Sequence, residues 1–189
     1  IMIERRIDIA VVGATGAVGE EVFRVLESRE FPVGRLGCFA SRGGRTLEAL
    51  GATHDVEATD VAKLRDYDAV ILCANTASSL ELAEPLAEAG CHVIDNSRAF
   101  RLHDGIPLII PEVNGETLSG GETLIANPNC STIVAMMAVG PLHRAFGVSR
   151  LTAATYQAVS GAGRAAMDEL TEASRALLAG EEPPREQFP

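Results

Sequence analysis

The chain has 189 residues, of which 47% are hydrophobic and 4% aromatic, and its formal net charge is −10. This length and apolar content allow one good core, or one domain and part of another. The negative charge argues against a nucleic-acid partner, because binding a polyanion needs a basic face. We find neither an apolar run long enough to span a membrane nor a signal peptide in the first residues, so we expect no membrane association.

The first predicted element is a buried parallel strand over residues 7–12, which a glycine-rich turn and a helix over 20–28 follow. This order is typical of a dinucleotide-binding unit. Its glycines allow a tight turn, a close approach of the backbone to a pyrophosphate, and packing of helix on strand. They are Gly13, Gly16 and Gly19. An ordinary strand-to-helix turn is the alternative, and the flanking elements favour the nucleotide site.

A second strand is predicted over residues 36–40, and Ser41 and Arg42 follow it. In an NAD site, an acidic residue at this place binds the ribose 2′-hydroxyl. A hydroxyl and a guanidinium suit a 2′-phosphate instead, so we predict NADP as the cofactor. A solvated basic loop is the alternative.

The next predicted elements are a buried strand over 68–73, a helix over 80–89 and a strand over 92–95. The loop that follows contains Arg98 and Arg101. Ligands of doubly wound sheets bind beyond the carboxyl ends of strands, so either arginine is a candidate for a phosphate or carboxylate site. For each one alone, an ordinary surface arginine is the alternative.

Residues 107–114 are apolar between two prolines and predict an edge-like strand or crossover, and residues 123–126 predict another strand. The alternation of strands and helices predicts an α/β fold, a Rossmann-like doubly wound parallel sheet with right-handed connections.

Cys130 opens a long apolar run that predicts a buried helix ending near Phe146, with Asn129 or Ser131 as its cap. A thiol at the positive end of a helix is expected to ionise more readily, and the thiolate is a nucleophile. A small buried cysteine is the alternative, and position alone does not separate the two. The other cysteines are Cys38, Cys73 and Cys91. The four have no metal-ligand spacing, so we expect no metal. Three of them lie in or beside apolar strand-like runs, which indicates reduced thiols in a cytoplasmic protein.

Beyond residue 148 the pattern changes. Residues 150–159 predict a strand of a second, antiparallel sheet, residues 160–163 open a helix that stops at Gly180, and residues 181–189 predict a loop. One strand and one helix do not close a domain. We therefore predict a cofactor domain over 1–130 and the incomplete start of a second, α+β domain over 131–189.

Five motifs, in their order and separations, resemble the aspartate-β-semialdehyde dehydrogenase family. They are GATGAVG at 13–19, DNSRAFR at 95–101, PEVN at 111–114, NPNCST at 127–132 and QAVSGAG at 157–163. The resemblance covers the whole chain and roughly the first half of such an enzyme, and it implies that residues 131–189 begin a catalytic and dimerisation domain. It implies an NADPH-dependent reductive dephosphorylation of L-aspartyl-4-phosphate to L-aspartate-4-semialdehyde by a cytoplasmic homodimer, on the route to diaminopimelate and lysine, methionine and threonine. Malonyl-CoA reductase and N-acetyl-glutamyl-phosphate reductase are relatives that share the chemistry.

The resemblance also implies the site residues. Cys130 is the nucleophile that forms a thioester, Arg101 binds phosphate, and Gln157 orients the substrate. Asn129 matches a position beside the substrate pocket. The positions that match the cofactor site are Gly13, Thr15, Gly16, Ala17, Val18, Ser41, Arg42, Ser160 and Gly161.

The family resemblance finally implies a histidine base in the second half of the catalytic domain. His143 follows Cys130 by thirteen residues on the same predicted helix. At about 1.5 Å per residue it would lie roughly 20 Å away, which is too far for a base. His54 and His92 fall in or near predicted strands, which favours structural roles. Geometry leaves His103, just past Arg101, open, and we favour a loop histidine there. The chain alone is therefore expected to be incomplete for catalysis, and a truncated, non-catalytic NADP-binding module is the alternative function.

Overall fold

The structure is a computed structural model that describes residues 5–187, so the predicted loop over 181–189 is described only as far as 187. The chain divides into two compact units, Ile1–Leu151 and Thr152–Pro189. The strands all belong to the first unit. They are β1 (Ile7–Val12), β2 (Val33–Ala40), β3 (Arg45–Ala49), β4 (Ala52–Ala58), β5 (Ala69–Leu72), β6 (His92–Asp95) and β7 (Leu124–Ala126).

Six helices accompany the strands in the described residues. They are α1 (Ala17–Ser28), α2 (Val61–Leu64), α3 (Thr76–Glu88), α4 (Pro111–Asn114), α5 (Cys130–Phe146) and α6 (Arg164–Ala179). Short 3₁₀ turns lie at Gly115–Thr117 and Val159–Ala162. Within residues 5–187, every helix is too short or too polar to cross a membrane.

The strands form one sheet in the order β3-β4-β2-β1-β5-β6-β7, and all neighbours are parallel except β3 and β4. Side chains alternate across the central strand β1. Val11 packs in a cluster with Phe23 of α1, whereas Val12 packs in a second cluster with Leu86 of α3. Helices therefore cover both faces of the sheet, which confirms the predicted doubly wound parallel architecture.

The hairpin of β3 and β4 was not predicted from the sequence. Its strands are short and mostly polar, and only a few side chains, such as Ala49 and Val56, are buried. The connection is tight, with positive φ angles of 50° at Leu50 and 74° at Gly51. Such a two-residue connection twists to match the flanking strands. The pairing of β4 with β2 determines the structure of this region. A local pattern of residues does not reveal that pairing.

Two other predictions need correction. The segment 107–114 contributes only a single parallel bridge, between Leu108 and Ala126, and residues 111–114 are the short helix α4. The strand predicted over residues 150–159 is wrong, because residues 150–158 form no regular element. A strand is stable only when a neighbour pairs with its backbone, and the described residues provide none for this segment.

The second unit contains α6, as the spacing of apolar residues predicts. Ala166 is buried, and the helix ends at Gly180 with φ 74°, a left-handed cap that glycine favours. The carboxylate of Glu169 accepts hydrogen bonds from the backbone N–H groups of Glu186 (3.1 Å) and Gln187 (2.6 Å). These bonds hold the segment after the helix against α6.

The two faces of α3 provide a stability test. Leu86 is fully buried in the second cluster, whereas Leu80 on the same helix is 52% exposed. We expect Leu86→Ala to lower the free energy of unfolding by about 2–5 kcal/mol, because the removed side chain leaves a cavity. The control Leu80→Ala should change it by about 0.5 kcal/mol or less. Urea denaturation measures both, and equal losses would show that α3 does not pack as described.

Candidate active site at the carboxyl edge of the sheet

Four parallel strands of the sheet end side by side. The register pairs the last residue of each strand with the last residue of the next, and these residues are Val12, Leu72, Asp95 and Ala126. The loops that follow β1, β5, β6 and β7 therefore all begin at one edge, which we call the carboxyl edge. Parallel α/β sheets bind their ligands at such an edge.

The loop after β1 is held closely against its neighbours. Gly13 has φ +85°, and a Cβ atom on it would lie 2.4 Å from the carbonyl oxygen of Cys73. A Cβ atom on Gly19 would lie 2.5 Å from the carbonyl oxygen of Gly13. The N–H groups of Gly13 and Ala14 both donate to the carbonyl of Phe39, at 2.8 and 3.0 Å. Positions 13 and 19 thus require glycine: position 13 for its backbone angle and its packing, and position 19 for its packing.

The first turn of α1 is suited to bind an anion. Its cap is Gly16, which has no side chain to accept from the first N–H groups of the helix. Thr15, Ala17 and Val18 surround this end, and Val18 is 50% exposed. Free N–H donors and the positive end of the helix dipole favour a phosphate. The residues present therefore fit the pyrophosphate of a dinucleotide.

Ser41 and Arg42 begin the loop after β2, and both are exposed. They lie near the glycine loop, since Phe39 pairs with the last residue of β1. The loop then turns sharply into β3: a Cβ atom on Gly43 would lie 2.8 Å from the backbone nitrogen of Ala58. A hydroxyl and a guanidinium thus stand in solvent beside the candidate dinucleotide site.

Arg101 bridges the loops after β6 and β7. Its Nε donates to the carbonyl of Asn127 at 2.9 Å, and its Nη2 donates to the carbonyl of Asn96 at 3.0 Å. A guanidinium has five N–H donors, so three remain for a ligand. The side chain is half-buried, whereas Arg98 is exposed. Position in the sequence does not distinguish Arg98 from Arg101. In the structure, Arg101 is the one that is half-buried and bonded to both loops.

Cys130 is the first residue of α5, and it is exposed. Asn129 is the cap: its Oδ1 accepts from the N–H of Ser131 at 3.0 Å, and its carbonyl accepts from Ile133 at 2.9 Å. The predicted helix and one of its two predicted caps are confirmed. The predicted burial of this helix is wrong at several positions, since Val134 is 73% exposed.

The other three thiols differ from Cys130 in burial. Burial raises the pKa of Cys38 to about 11 and the pKa of Cys73 to about 12, because it disfavours the charged thiolate. Burial also raises the pKa of Cys91, whose thiol lies 3.7 Å from the carbonyl of Leu64. Among the four cysteines, Cys130 is the one exposed to solvent.

Asp95 is a buried carboxylate that the sequence analysis did not single out. It is 0% exposed and accepts hydrogen bonds from the hydroxyl of Ser79 (2.7 Å) and from the hydroxyl and N–H of Ser97 (2.9 and 3.1 Å). These bonds fasten the loop after β6 to α3. The signal in the sequence is a charged residue at the end of an apolar strand, which needs buried partners.

The motif at 111–114 has a structural role next to the Cys130 helix. Asn114 Oδ1 accepts from the N–H of Ile110 at 2.8 Å, and its Nδ2 donates to the carbonyl of Leu108 at 3.0 Å. Arg144 of α5 donates to the carbonyl of Val113 at 3.0 Å. The motif thus connects α5 to the segment beside β7.

Three predicted site residues, Gln157, Ser160 and Gly161, lie in the second unit, and all are exposed. Ser160 and Gly161 belong to the 3₁₀ turn at Val159–Ala162, and Gln157 lies just before it. The amide of Gln157 covers Gly161, where a Cβ atom would lie 2.9 Å from Gln157 Nε2. Any larger residue at 161 would displace this amide.

Each of the four histidines has a local contact. Three rings hydrogen-bond to backbone groups, and one packs against an aromatic ring. The pairs are His54 with Ala49, His92 with Glu122, His143 with Val148, and His103 with Phe100. These contacts do not identify any of the four as a base for the site.

Two family models match the chain. One, described as "Semialdehyde dehydrogenase, NAD binding domain", matches residues 8–120. The other, described as "Semialdehyde dehydrogenase, dimerisation domain", matches residues 139–189. The first model alone covers more than half of the chain.

Two curated relatives of the chain are both named aspartate-semialdehyde dehydrogenase. An aspartate-semialdehyde dehydrogenase of Synechocystis sp. is 41% identical over 185 residues, which are 97% of this chain and 55% of that protein. An aspartate-semialdehyde dehydrogenase of Aquifex aeolicus is 40% identical over 187 residues, 96% of this chain and 55% of that protein. The chain thus spans about half the length of the curated relatives it matches.

Solved structures share the fold. Aspartate semialdehyde dehydrogenase II from Vibrio cholerae has a TM-score of 0.89 and 40% identity, covering 97% of this chain and 56% of that one. The same enzyme complexed with ASA has a TM-score of 0.89 and 39% identity, covering 98% and 56%. An aspartate semialdehyde dehydrogenase with NADP from Candida albicans has a TM-score of 0.63 and 23% identity, covering 75% and 48%, which shows the fold alone.

The difference in burial among the thiols predicts a labelling order. At about pH 7.5, iodoacetamide should alkylate Cys130 at least about tenfold faster than Cys38, Cys73 and Cys91, because thiolate and access are both needed. Peptide mapping by mass spectrometry measures the four rates, and Cys130→Ser is the control that should remove the fast phase. Labelling of Cys73 or Cys38 as fast as Cys130 would contradict the described burial.

Proposed function

The chain belongs to the semialdehyde dehydrogenase family, and we propose that it forms part of an NADP-dependent aspartate-semialdehyde dehydrogenase. The proposed reaction is the reductive dephosphorylation of L-aspartyl-4-phosphate to L-aspartate-4-semialdehyde. One observation supports it most: the loops that contain the glycine turn, Arg101 and Cys130 all begin at the carboxyl edge. A helix start suited to an anion, a guanidinium and the proposed nucleophile thus all follow strands that end at the same edge of the sheet.

Cys130 is the proposed nucleophile. Its thiolate attacks the acyl carbon of the substrate, so that a C–S bond forms, the acyl C–O bond breaks, and phosphate leaves with the electron pair. Bound NADPH would supply the hydride that reduces the resulting thioester. As the semialdehyde forms, the C–S bond breaks, and its electron pair stays on sulfur to restore the Cys130 thiolate.

Charges and dipoles around Cys130 support this chemistry. The three N–H donors of Arg101 that remain after its two backbone bonds can bind the leaving phosphate. The positive end of the α5 dipole, at which Cys130 lies, would stabilise an oxyanion. The capping bond engages Oδ1 of Asn129, which leaves its Nδ2 for the substrate. We assign the orientation of the substrate to Gln157.

The proposed cofactor is NADP rather than NAD. Residues 13–18 would bind the pyrophosphate through backbone N–H groups. Ser41 and Arg42 would bind the 2′-phosphate, since both are exposed beside the glycine loop and a guanidinium pairs well with phosphate. Ser160 and Gly161 are further proposed cofactor contacts.

The proposed activity belongs to amino-acid biosynthesis, on the route to lysine, methionine and threonine, and we place it in the cytoplasm, where thiols stay reduced. We also propose that the whole protein is a homodimer. The match to a dimerisation domain supports this assembly, as do the exposed apolar side chains Val134, Leu142 and Phe146 of α5.

A non-catalytic NADP-binding module is the second candidate, because all four histidines have other contacts. A related acyl-phosphate or acyl-CoA reductase is the third. The assay is phosphate-dependent NADPH formation from NADP and L-aspartate-4-semialdehyde, with N-acetyl-glutamate semialdehyde and malonate semialdehyde as competing substrates, the latter with coenzyme A.

We expect the whole protein, rather than this chain alone, to turn over L-aspartate-4-semialdehyde. In it, Cys130→Ala should lower kcat by at least about 10³-fold, because it removes the nucleophile. The control Cys91→Ala changes a buried thiol outside the proposed site and should retain turnover. NADPH binding without turnover by the intact protein would favour the non-catalytic module, and preference for another substrate would favour the third candidate.

The cofactor assignment predicts a selective effect at one arginine. We expect Arg42→Ala to weaken NADPH binding about tenfold or more and to leave NADH binding unchanged, because only NADPH has the 2′-phosphate. Titration calorimetry measures both affinities. Arg29→Ala is the control, since this exposed arginine lies at the opposite end of α1. Equal affinities of the unchanged protein for NADH and NADPH would refute the choice of NADP.

A further inference from the structure

Two asparagine side chains join the loops after β6 and β7. Asn127 Nδ2 donates to Asn96 Oδ1 at 2.6 Å. The N–H of Asn127 also donates to the carbonyl of Asp95 at 2.8 Å, which continues the pairing of the strands past their ends. Both asparagines are half-buried, and a hydrogen bond lost there costs more than one lost in open solvent. We call these two side chains the amide pair.

The residues of the amide pair also hold the guanidinium of Arg101. Arg101 donates to the backbone carbonyls of these same residues, Asn96 and Asn127, at 3.0 and 2.9 Å. The direction of the guanidinium therefore depends on how far apart the two loops stand. The hydrogen bond between the two side chains fixes this separation together with the backbone bond from Asn127 to Asp95.

Asn96 also contacts the loop next to the glycine turn. Its Nδ2 donates to the carbonyl of Leu72 at 3.2 Å and lies 3.6 Å from the thiol sulfur of Cys73. The carbonyl of Cys73 is the atom that a Cβ on Gly13 would strike. The donors and the acceptor of the Asn96 amide are thus all engaged, and they connect the loops after β5, β6 and β7.

Asn127 connects the same network to the thiol. It precedes Cys130 by three residues, which span at most about 11 Å. Pro128 has a fixed φ angle, and Asn129 is held by its capping bond, so little freedom remains between Asn127 and the start of α5. A change in the position of Asn127 would therefore move Cys130 relative to Arg101.

We propose that Asn96 and Asn127 are positioning residues, whose amide pair orients the Arg101 guanidinium towards a bound phosphate and holds this anion site in register with Cys130. The inference rests on the proposed function, in which Arg101 binds phosphate beside Cys130. Neither asparagine needs to touch the substrate. Their effect is transmitted by the two carbonyl groups that hold Arg101.

The test uses inorganic phosphate as the probe and the alkylation of Cys130 by iodoacetamide as the readout, at constant ionic strength. The quantity measured is the phosphate concentration that halves the labelling rate. Asn96→Ala and Asn127→Ala should each raise it about tenfold, which corresponds to about 1.4 kcal/mol. The double variant should raise it little further, because both changes remove the same bond.

Two controls separate positioning from general stability. Arg101→Ala should abolish the protection by phosphate. Asn114→Ala removes another amide that bonds to backbone groups at 2.8 and 3.0 Å but touches neither Arg101 nor the amide pair. It should lower the melting temperature without changing the half-protecting phosphate concentration. If one asparagine variant fails to fold, the other tests the same bond from the opposite side.

The outcomes are distinguishable. If phosphate protects the unchanged protein and Arg101→Ala removes this protection, but both asparagine variants behave like the unchanged protein, the positioning inference alone is overturned. It is also overturned if Asn114→Ala raises the half-protecting concentration equally. If phosphate does not protect the unchanged protein, both the proposed anion site and the positioning inference fail.

Discussion

The parallel register of β1, β5, β6 and β7 is the constraint on which the candidate site depends. Because of this register, the last residues of the four strands pair with one another, and loops far apart in the sequence begin side by side. The apolar strands provide this register, since β1 and its neighbours bury side chains on both faces. The polar groups that extend beyond the strands then meet in one place.

The hydrogen bonds of those polar groups stabilise the fold, and the same bonds fix the loops of the candidate site. Asp95 is buried and accepts from two serines, which fastens one loop to α3. Arg101 donates two N–H groups to carbonyls and retains three for a ligand. A half-buried guanidinium fixed by two bonds loses little further conformational freedom on binding an anion. The part of the candidate site that these loops form is thus largely fixed without a ligand.

Much of the fold was predictable because its strands are short apolar runs with glycine or asparagine at their ends. The hairpin of β3 and β4 was not, since long-range pairing with β2 rather than local pattern stabilises it. The segment over 150–159 shows the opposite error, because a strand-like pattern without a paired neighbour does not form a strand. At 111–114, the bonds of Asn114 favour a helical turn over an extended crossover.

The residues near each position are enough to predict the glycine turn between strand and helix, and the start of a helix at Cys130. Both depend on local preferences: the freedom of glycine at positive φ and the capping ability of Asn129. Contacts between distant parts of the chain distinguish Arg101 from Arg98 and place Asn96 next to Asn127. Those relations join residues on different strands, and the register of a sheet, rather than any local pattern, decides which strand ends meet.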